Sequence, residues 1–361
     1  MRDIIAGVSD WIDRAEPFAM ATIVRTWKSA PRPPGASMAV SQSGHVLGSV
    51  SGGCVEGALY ETALDVIADG HSRLERYEVN DDDAFSVGLT CGGTIEVLVR
   101  RIDSAGADAL TRVAQKIASD DSVAIVTDMT IGAHATSSVV TKTTVFGNSS
   151  LSANIVDDLR ARMKSSESNC YTIDAAEVGG PSLMVEVHNP RPRMIVFGAI
   201  DFAAALTRLG ALVGYHVTVV DARAVFATQA RFPDADEVVV EWPHVFLRTA
   251  RIETDTVLAV LTHDEKFDLP LLEHALRSEA AYIGALGSRR THERRVAALL
   301  DLGLPLKSLE RLHSPIGLDL GARSPDETAV SIVAEIMKTV REASGDELRH
   351  LTGPIHRSSL G

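Results

Sequence analysis

The sequence is poor in cysteine. Its 361 residues include only Cys54, Cys91 and Cys170, and no two of them form a Cys-x-x-Cys pair. This scarcity excludes a disulfide framework and the common zinc motifs, so we predict no metal site.

The sequence also lacks a long apolar segment. No run of about 18 apolar residues occurs, and the N-terminal residues do not contain the apolar core of a signal peptide. We therefore expect no membrane span and a cytoplasmic protein.

Positive charge is in deficit. The 35 Lys and Arg residues against 48 Asp and Glu give a formal net charge of -13 at pH 7. Such a chain is not expected to bind nucleic acid or anionic membranes. The net charge does not exclude a local basic pocket for a small phosphorylated ligand. A hydrophobic content of 45% and a charged content of 23% are typical of a globular protein, and the length suffices for two domains.

The clearest domain boundary is Asn189-Pro190-Arg191-Pro192, because interleaved prolines make a stiff, extended connector. We predict an α/β protein of two domains: a mixed α/β domain followed by a Rossmann-like domain with a parallel sheet. The predicted ranges are 1–188 for the first domain, 189–192 for the linker, 193–343 for the second domain and 344–361 for a polar, disordered tail.

The segment Gly48–Gly57 combines glycine, serine and cysteine. Gly52 and Gly53 predict a tight turn, and the apolar residues after Cys54 recur at helical spacing. We therefore expect Cys54 in the first turn of a helix, where unpaired N–H groups could hold an anion and lower the pKa of the thiol. Ser49 and Ser51 belong to the same predicted cradle.

A second cysteine turn, Cys91-Gly92-Gly93, precedes the strand-like Thr94–Val99. The pair is a stronger signal than a single turn, but from the residues alone a functional role for Cys54 and Cys91 is one of two open interpretations. The alternative interpretation is that both cysteines are small buried hydrophobic residues.

A strand at Met194–Phe197, a turn at Gly198, a helix and a second strand ending at Asp221 predict the first unit of a Rossmann fold. The glycine fingerprint is incomplete, since Ile200 occupies its second position and Asp201 adds a carboxylate that would repel phosphate. We therefore predict weak binding of NAD(P). Asp221 lies where a ribose-binding acid would be, or it only caps the strand end.

Later segments supply further polar groups at the predicted sheet edge. His263 and Asp264 follow a predicted buried strand. They are either ligand-binding residues at the carboxyl edge of the sheet or part of an ordinary polar loop. Ser288 and Arg289 begin a helix and make a plausible anion site, whereas Arg294 and Arg295 are expected on its solvent face.

The segment Ser324-Pro325-Asp326-Glu327 predicts a capped helix start. The stretch before it, which includes Ser314 and Gly317, contains more glycine than the start of a helix requires.

Several of these motifs resemble one family. Gly48-Ser49-Val50-Ser51-Gly52-Gly53-Cys54-Val55-Glu56, together with Cys91-Gly92-Gly93, is similar to the signature of the xanthine dehydrogenase accessory (XdhC/CoxI) family. Tyr282–Arg290 and Ser314–Asp319 resemble two further family segments, so the resemblance covers roughly residues 17–100 and 193–342. The chain departs from the family at Gly198-Ala199-Ile200-Asp201, where members usually have a Gly-Ala-Gly-His-like turn.

The resemblance implies a chaperone that transiently binds molybdenum cofactor (molybdopterin) and helps to insert it into an apo molybdenum hydroxylase, such as xanthine or carbon monoxide dehydrogenase. It implies no catalytic residues. The candidate cofactor-binding residues are Ser49, Ser51, Gly52, Gly53, Cys54, Cys91, Gly92, Gly93, Gly198, Asp221, His263, Ser288, Arg289, Ser314 and Gly317.

Two alternatives remain open from the sequence. One is an NAD(P)-dependent oxidoreductase that uses the Rossmann domain, and the other is an assembly factor that binds only proteins. A homodimer and the docking of a cofactor-sulfurating enzyme are also left open.

Overall fold

The computed structural model describes residues 1–28, 30–78, 93–132, 134–147, 151–164, 168–178, 180–262 and 265–352. Two compact units account for these residues, one comprising Met1–Pro190 together with Thr352 and the other Arg191–Leu351. Each unit contains its own sheets and cores.

The first half of the N-terminal unit is an antiparallel sheet with one helix before it and one within it. Its strands follow the order β3-β2-β1-β5-β4. The elements in chain order are α1 (Ile5–Asp13), β1 (Phe18–Trp27), β2 (Ser37–Ser41), β3 (Val46–Gly48), α2 (Glu56–Asp69), β4 (Arg73–Tyr77) and β5 (Thr94–Arg101).

The second half of this unit repeats the same plan. Its strands follow the order β8-β7-β6-β10-β9, which matches the first sheet strand for strand. The elements are α3 (Ser104–Ala118), β6 (Val123–Asp128), β7 (Ser137–Val140), β8 (Val145–Gly147), α4 (Ala153–Arg162), β9 (Asn169–Ile173), the short α5 (Ala175–Val178) and β10 (Leu183–His188).

Details of the two sheets correspond as well. Thr22 pairs with Ser37 across β1 and β2, and Thr127 pairs with Ser137 across β6 and β7; in each pair the hydroxyl oxygens are 3.1 Å apart. Gly48 ends β3 and Gly147 ends β8, and both have positive φ. A Cβ at Gly48 would collide with the carbonyl oxygen of Ser37, and a Cβ at Gly147 with that of Ser137. The N-terminal unit is therefore an internal duplication.

The C-terminal unit is a parallel sheet in the order β13-β12-β11-β14-β15-β16, the doubly wound arrangement of a Rossmann fold. This confirms the predicted α/β class. Its elements are β11 (Arg193–Phe197), α6 (Asp201–Leu212), β12 (His216–Val220), β13 (Glu237–Val239), α7 (Pro243–Thr249), β14 (Val257–Val260), α8 (Glu265–Arg277), β15 (Tyr282–Ala285), α9 (Arg289–Asp301), α10 (Leu306–Leu309), β16 (Leu312–His313) and α11 (Pro325–Val340).

Both faces of this sheet are buried, which explains the continuous apolar run of β11. Met194 and Val196 enter one core with Leu206 of α6, while Ile195 and Phe197 enter a second core on the opposite face. Parallel strands covered by helices on both sides have this sequence pattern.

Helix α11 begins as the sequence predicts. Ser324 accepts a hydrogen bond from the Glu327 amide, Glu327 reaches back to the amide of Ser324, and Pro325 occupies the first turn. At the other end of the helix, Val340 is 39% exposed.

Beyond α11, Leu348–His350 forms a 3-10 turn, and residues 353–361 of the predicted tail lie outside the described part of the chain. None of the helices in the described ranges has the length and apolar character of a membrane-spanning segment.

Candidate functional site

The connection from β3 to α2 carries the Cys54 motif. Gly52 and Gly53 have φ values of 80° and 121°, in the left-handed region that favours glycine. Val55 is the N-cap of α2, so Cys54 lies one residue before the cap. The expectation that Cys54 belongs to the first helical turn is therefore wrong, because the helix begins at Glu56.

The carboxylate of Glu56 folds back into this connection. Oε1 accepts hydrogen bonds from the amides of Val50 (3.1 Å), Ser51 (2.8 Å) and Gly52 (3.0 Å). Oε2 accepts from the amides of Gly53 (2.8 Å) and Val55 (3.3 Å).

Two serine hydroxyls complete this set of donors. Ser49 Oγ donates to Glu56 Oε1 (2.6 Å), and Ser51 Oγ donates to Glu56 Oε2. Each hydroxyl also accepts a bond from the loop backbone, Ser49 from the Gly52 amide and Ser51 from the Val55 amide. We call Ser49–Glu56 with these bonds the Glu56 loop.

Burial opposes ionisation of Glu56, but the hydrogen bonds from Ser49, Ser51 and the backbone outweigh it and hold its pKa far below the ordinary range. The loop amides thus already have an anionic acceptor from the chain itself. This corrects the predicted anion cradle at Ser49, Ser51, Gly52 and Gly53, whose donors point inward to Glu56. The sequence contained Glu56 in the motif, but its position at a helix start gave no sign of this role.

Cys54 is partly buried and packs against the core of the first sheet. Gly52, Gly53 and Gly57 are exposed, and a Cβ at any of them would meet nothing within 4 Å. Gly57 has no positive φ and lies within the first turn of α2, and glycine within a helix costs about 0.5–1 kcal/mol relative to alanine. Neither steric crowding nor strain in the described structure explains this glycine.

The second cysteine turn is only partly described. Cys91 and Gly92 lie outside the described residues, so their predicted role stays a prediction. Gly93 is buried and directly precedes β5, whose first residue pairs with Trp27 of β1.

In the C-terminal unit, the turn after β11 is also closed by a carboxylate of the chain, that of Asp221. Gly198 has a φ of 107°, and the Ala199 amide donates to Asp221 Oδ2 (2.7 Å). Burial raises the pKa of Asp221, but hydrogen bonds from Arg223 and Ala199 outweigh this and lower it. Asp221 thus makes the local contacts of a strand-end residue.

The two residues that interrupt the fingerprint are both engaged. Ile200 packs against the adjacent core, and Asp201 forms an exposed ion pair with Arg231 (3.2 Å). An isoleucine side chain and a carboxylate therefore stand where a dinucleotide would need open backbone.

At the start of α9, Ser288 is the N-cap and accepts from the Thr291 amide (3.1 Å), while Arg289 is exposed. Arg295 was expected on the solvent face, but its side chain is 1% exposed and forms an ion pair with the equally buried Asp268 (2.7 Å). The expectation is wrong because Arg295 lies on the same helix face as Leu299, which packs into the core.

This buried ion pair links several residues at the carboxyl edge of the sheet. Arg295 also donates to the carbonyl oxygen of Leu286 (2.8 Å) and lies 3.5 Å from Ser314 Oγ, while Thr262 donates to Asp268. The predicted site residue Ser314 is thereby brought to the Gly287–Ser288 turn. His263 lies outside the described residues.

Gly317 is held by a third internal carboxylate. Its amide donates to Glu335 Oε2 (2.8 Å), and its φ of 102° requires glycine. Glu335 also accepts from the Tyr282 hydroxyl (2.5 Å), and its other oxygen lies 3.3 Å from His313 Nδ1. Burial raises the pKa of Glu335, but these hydrogen bonds outweigh it and lower the pKa.

Within the described ranges, no group of three or more His, Cys, Asp and Glu side chains could hold a metal ion. The fold and the site together define a two-unit α/β protein, with a cysteine-bearing loop in a duplicated N-terminal unit and a Rossmann unit whose glycine turn is closed from within.

Comparison with known proteins identifies the family. The XdhC Rossmann domain matches residues 194–336, and the domain of the XdhC and CoxI family matches residues 11–78. A crystal structure described as a xanthine dehydrogenase from Bacillus halodurans superposes with a TM-score of 0.76 at 30% identity, covering 95% of this chain and 98% of that chain. This chain belongs to the XdhC/CoxI family.

Two relatives carry functional names. A protein of Bacillus subtilis (strain 168), named as a probable xanthine dehydrogenase subunit, is 29% identical over 331 residues, 91% of this chain and 94% of the relative. The molybdenum cofactor insertion chaperone PaoD of Escherichia coli (strain K12) is 27% identical over 317 residues, 88% of this chain and 81% of the relative.

The depressed pKa of Glu56 predicts a pH-dependent contribution to stability. Because the folded-state pKa lies below the unfolded one, the contribution is present above about pH 4.3 and is lost as the pH falls further. At pH 7, Glu56→Gln should lower the free energy of unfolding by about 1–3 kcal/mol, and this deficit should shrink towards pH 2. Urea denaturation across that pH range measures the deficit, with the exposed Glu61→Gln as control. A deficit independent of pH would contradict the assignment.

The buried ion pair of Arg295 predicts a large mutational cost. Arg295→Ala removes the guanidinium that pairs with the buried Asp268 carboxylate and should lower the free energy of unfolding by about 3–5 kcal/mol. The exposed Arg290→Ala should change it by less than about 0.5 kcal/mol. Chemical denaturation compares the two variants, and similar values for both would show that the pair does not stabilise the unit.

Proposed function

We propose that this chain binds molybdenum cofactor transiently, through the Glu56 loop, and delivers it to an apo molybdenum hydroxylase. Family membership and the name of the relative PaoD support the cofactor. The name of the Bacillus subtilis relative supports a hydroxylase of the xanthine dehydrogenase type as recipient.

One structural observation supports the Glu56 loop as the part of the unit that binds the cofactor. The duplicated unit contains two connections from an edge strand to a helix, and they differ. Of the second connection the structure describes only its last residues, up to Ser152, which caps α4 five residues after Gly147 and accepts from the Ile155 amide (3.4 Å). The first reaches the α2 cap seven residues after Gly48 and carries Cys54. The fold itself does not require the longer, thiol-bearing version.

The groups of the loop fit part of the cargo. Molybdopterin offers a planar pterin, a dithiolene that holds the metal, and a phosphate. Exposed glycine backbone at Gly52, Gly53 and Gly57 leaves room for a planar ring to approach, and Cys54 supplies a polarisable sulfur beside it. The loop amides are engaged with Glu56, so the phosphate is not assigned to them.

The C-terminal unit, taken by itself, has a candidate anion contact of its own. Arg289 and Arg290 are exposed in the first turn of α9, where the helix dipole disfavours cations. Arginines at this position are therefore better explained by an anionic ligand than by helix stability. We likewise propose, without assigning individual contacts, that four further residues of this unit take part in cofactor binding: Ser288, Ser314, Gly198 and Asp221.

The chain has no catalytic step in this proposal. Its own residues bind the cargo and shield it from water until the recipient takes it. Cytoplasmic location, a homodimer and docking of a cofactor-sulfurating enzyme stay predictions.

Cys54→Ser tests the role of the thiol. The variant and the wild type are purified anaerobically from cells that make the cofactor, and bound pterin and molybdenum are measured. We expect wild-type protein to retain both and Cys54→Ser to retain at least about tenfold less, a difference of about 1.4 kcal/mol in binding. The melting temperature should barely change, since the substitution is nearly isosteric at a partly exposed position. Cys170→Ser is the matched control. Equal retention by Cys54→Ser and wild type would contradict a role for the thiol.

Gly57→Ala separates ligand contact from helix stability, because the two effects have opposite signs. Alanine should stabilise α2 by about 0.5–1 kcal/mol and raise the melting temperature, since the added Cβ meets only open space. The same methyl group should weaken cofactor retention if the ring lies against this backbone. A stabilised variant with wild-type retention would remove Gly57 from the contact surface.

A further inference from the structure

Glu56 holds the residue that carries the thiol. The amides of Gly53 and Val55, immediately before and after Cys54, both donate to the same carboxylate oxygen, at 2.8 and 3.3 Å. The position of the Cys54 backbone is therefore fixed on both sides by one atom of Glu56.

The remaining donors make this atom hard to displace. Ser51 donates its hydroxyl to the same oxygen and accepts from the Val55 amide, and Ser49 links the other oxygen to the Gly52 amide. Arg32 donates to the Ser49 carbonyl oxygen (2.8 Å) and so ties the start of the loop to the preceding segment. Each of these contacts restricts the loop without contributing an atom to its exposed glycine face.

The duplicated half shows that a helix start at this place does not need such a carboxylate. Ser152 caps α4 with one hydroxyl bond, the ordinary device for a helix N-terminus. Val55 has no side-chain acceptor, so the Glu56 loop replaces a simple cap by a larger set of bonds directed around Cys54.

We infer that Glu56 is the positioning residue of Cys54: its carboxylate supplies the anion around which the Ser49–Val55 backbone closes, and this fixes the thiol for contact with the cargo. Glu56 itself does not touch the cargo. The inference rests on the proposed function for the importance of Cys54, but the position of the thiol can be tested without any cofactor.

The primary test measures alkylation of Cys54 by the neutral reagent iodoacetamide, followed at the Cys54 peptide by mass spectrometry. Charge-assisted bonds of this kind suppress local opening, so Glu56→Ala should raise the alkylation rate at least about tenfold. Acetate at about 100 mM can occupy the vacated donors and should return the rate most of the way to the wild-type value. Glu61→Ala, an exposed glutamate of the same helix, should react like wild type with or without acetate.

Rescue by acetate distinguishes positioning from a general structural role. A raised rate that acetate does not reverse would mean that the loop has unfolded, and an unchanged rate would mean that Glu56 does not control Cys54; either result overturns the inference. If Glu56→Ala does not fold, Glu56→Gln keeps one acceptor oxygen and should show a smaller, acetate-independent rise. A wild-type rate in Glu56→Gln would equally overturn it.

Cofactor retention supplies the second readout. Under the proposed function, Glu56→Ala should retain about tenfold less pterin, and acetate should partly restore it. If the wild type retains no pterin while the alkylation results hold, the proposed function fails and the positioning role of Glu56 stands. If the wild type retains pterin and Glu56→Ala retains as much, the positioning role fails and the proposed function stands.

Discussion

Backbone amides in a glycine-rich turn need acceptors, and in this protein the acceptors are its own carboxylates. Glu56 takes the amides around Cys54, Asp221 takes the amide after Gly198, and Glu335 takes that of Gly317. An N–H group without an acceptor is costly where water has little access, so each carboxylate fixes its turn in one conformation. Each of the three turns is therefore closed by a hydrogen bond to a carboxylate of the same chain.

Most of the fold could be predicted because it depends on local patterns. The apolar run of Met194–Phe197, the turn at Gly198 and the cap at Ser324 each determine their element through nearby residues. The duplication could not be predicted in this way. The halves share strand order and a few positions, such as Thr22 and Thr127, but their connections to α2 and α4 differ in length and composition. Equivalence of that kind is visible only when the strands are paired.

The sequence indicated which loop is the candidate site, but not how the hydrogen bonds of that loop are arranged. Glycines and Cys54 indicated the loop, and the family resemblance connected it to molybdenum cofactor. What the sequence could not show was the direction of the donors, since a glutamate at a helix start is usual simply for its favourable interaction with the helix dipole. Arg295 illustrates the same limit: its partner Asp268 is distant in sequence, so spacing alone could not distinguish a buried guanidinium from the exposed Arg290.

The duplicated unit places two copies of one fold in a single polypeptide, as a dimer would place them in two chains. In a symmetric dimer, every substitution appears twice, so both copies of a loop must change together. Once the two halves are one chain, each connection can diverge while its twin keeps the simpler form, as Ser152 does beside α4. In the described residues, the Glu56 loop thus occurs once for two copies of the same scaffold. The connection that carries Cys54 could therefore change in one half while the cap of α4 in the other half stayed as it was.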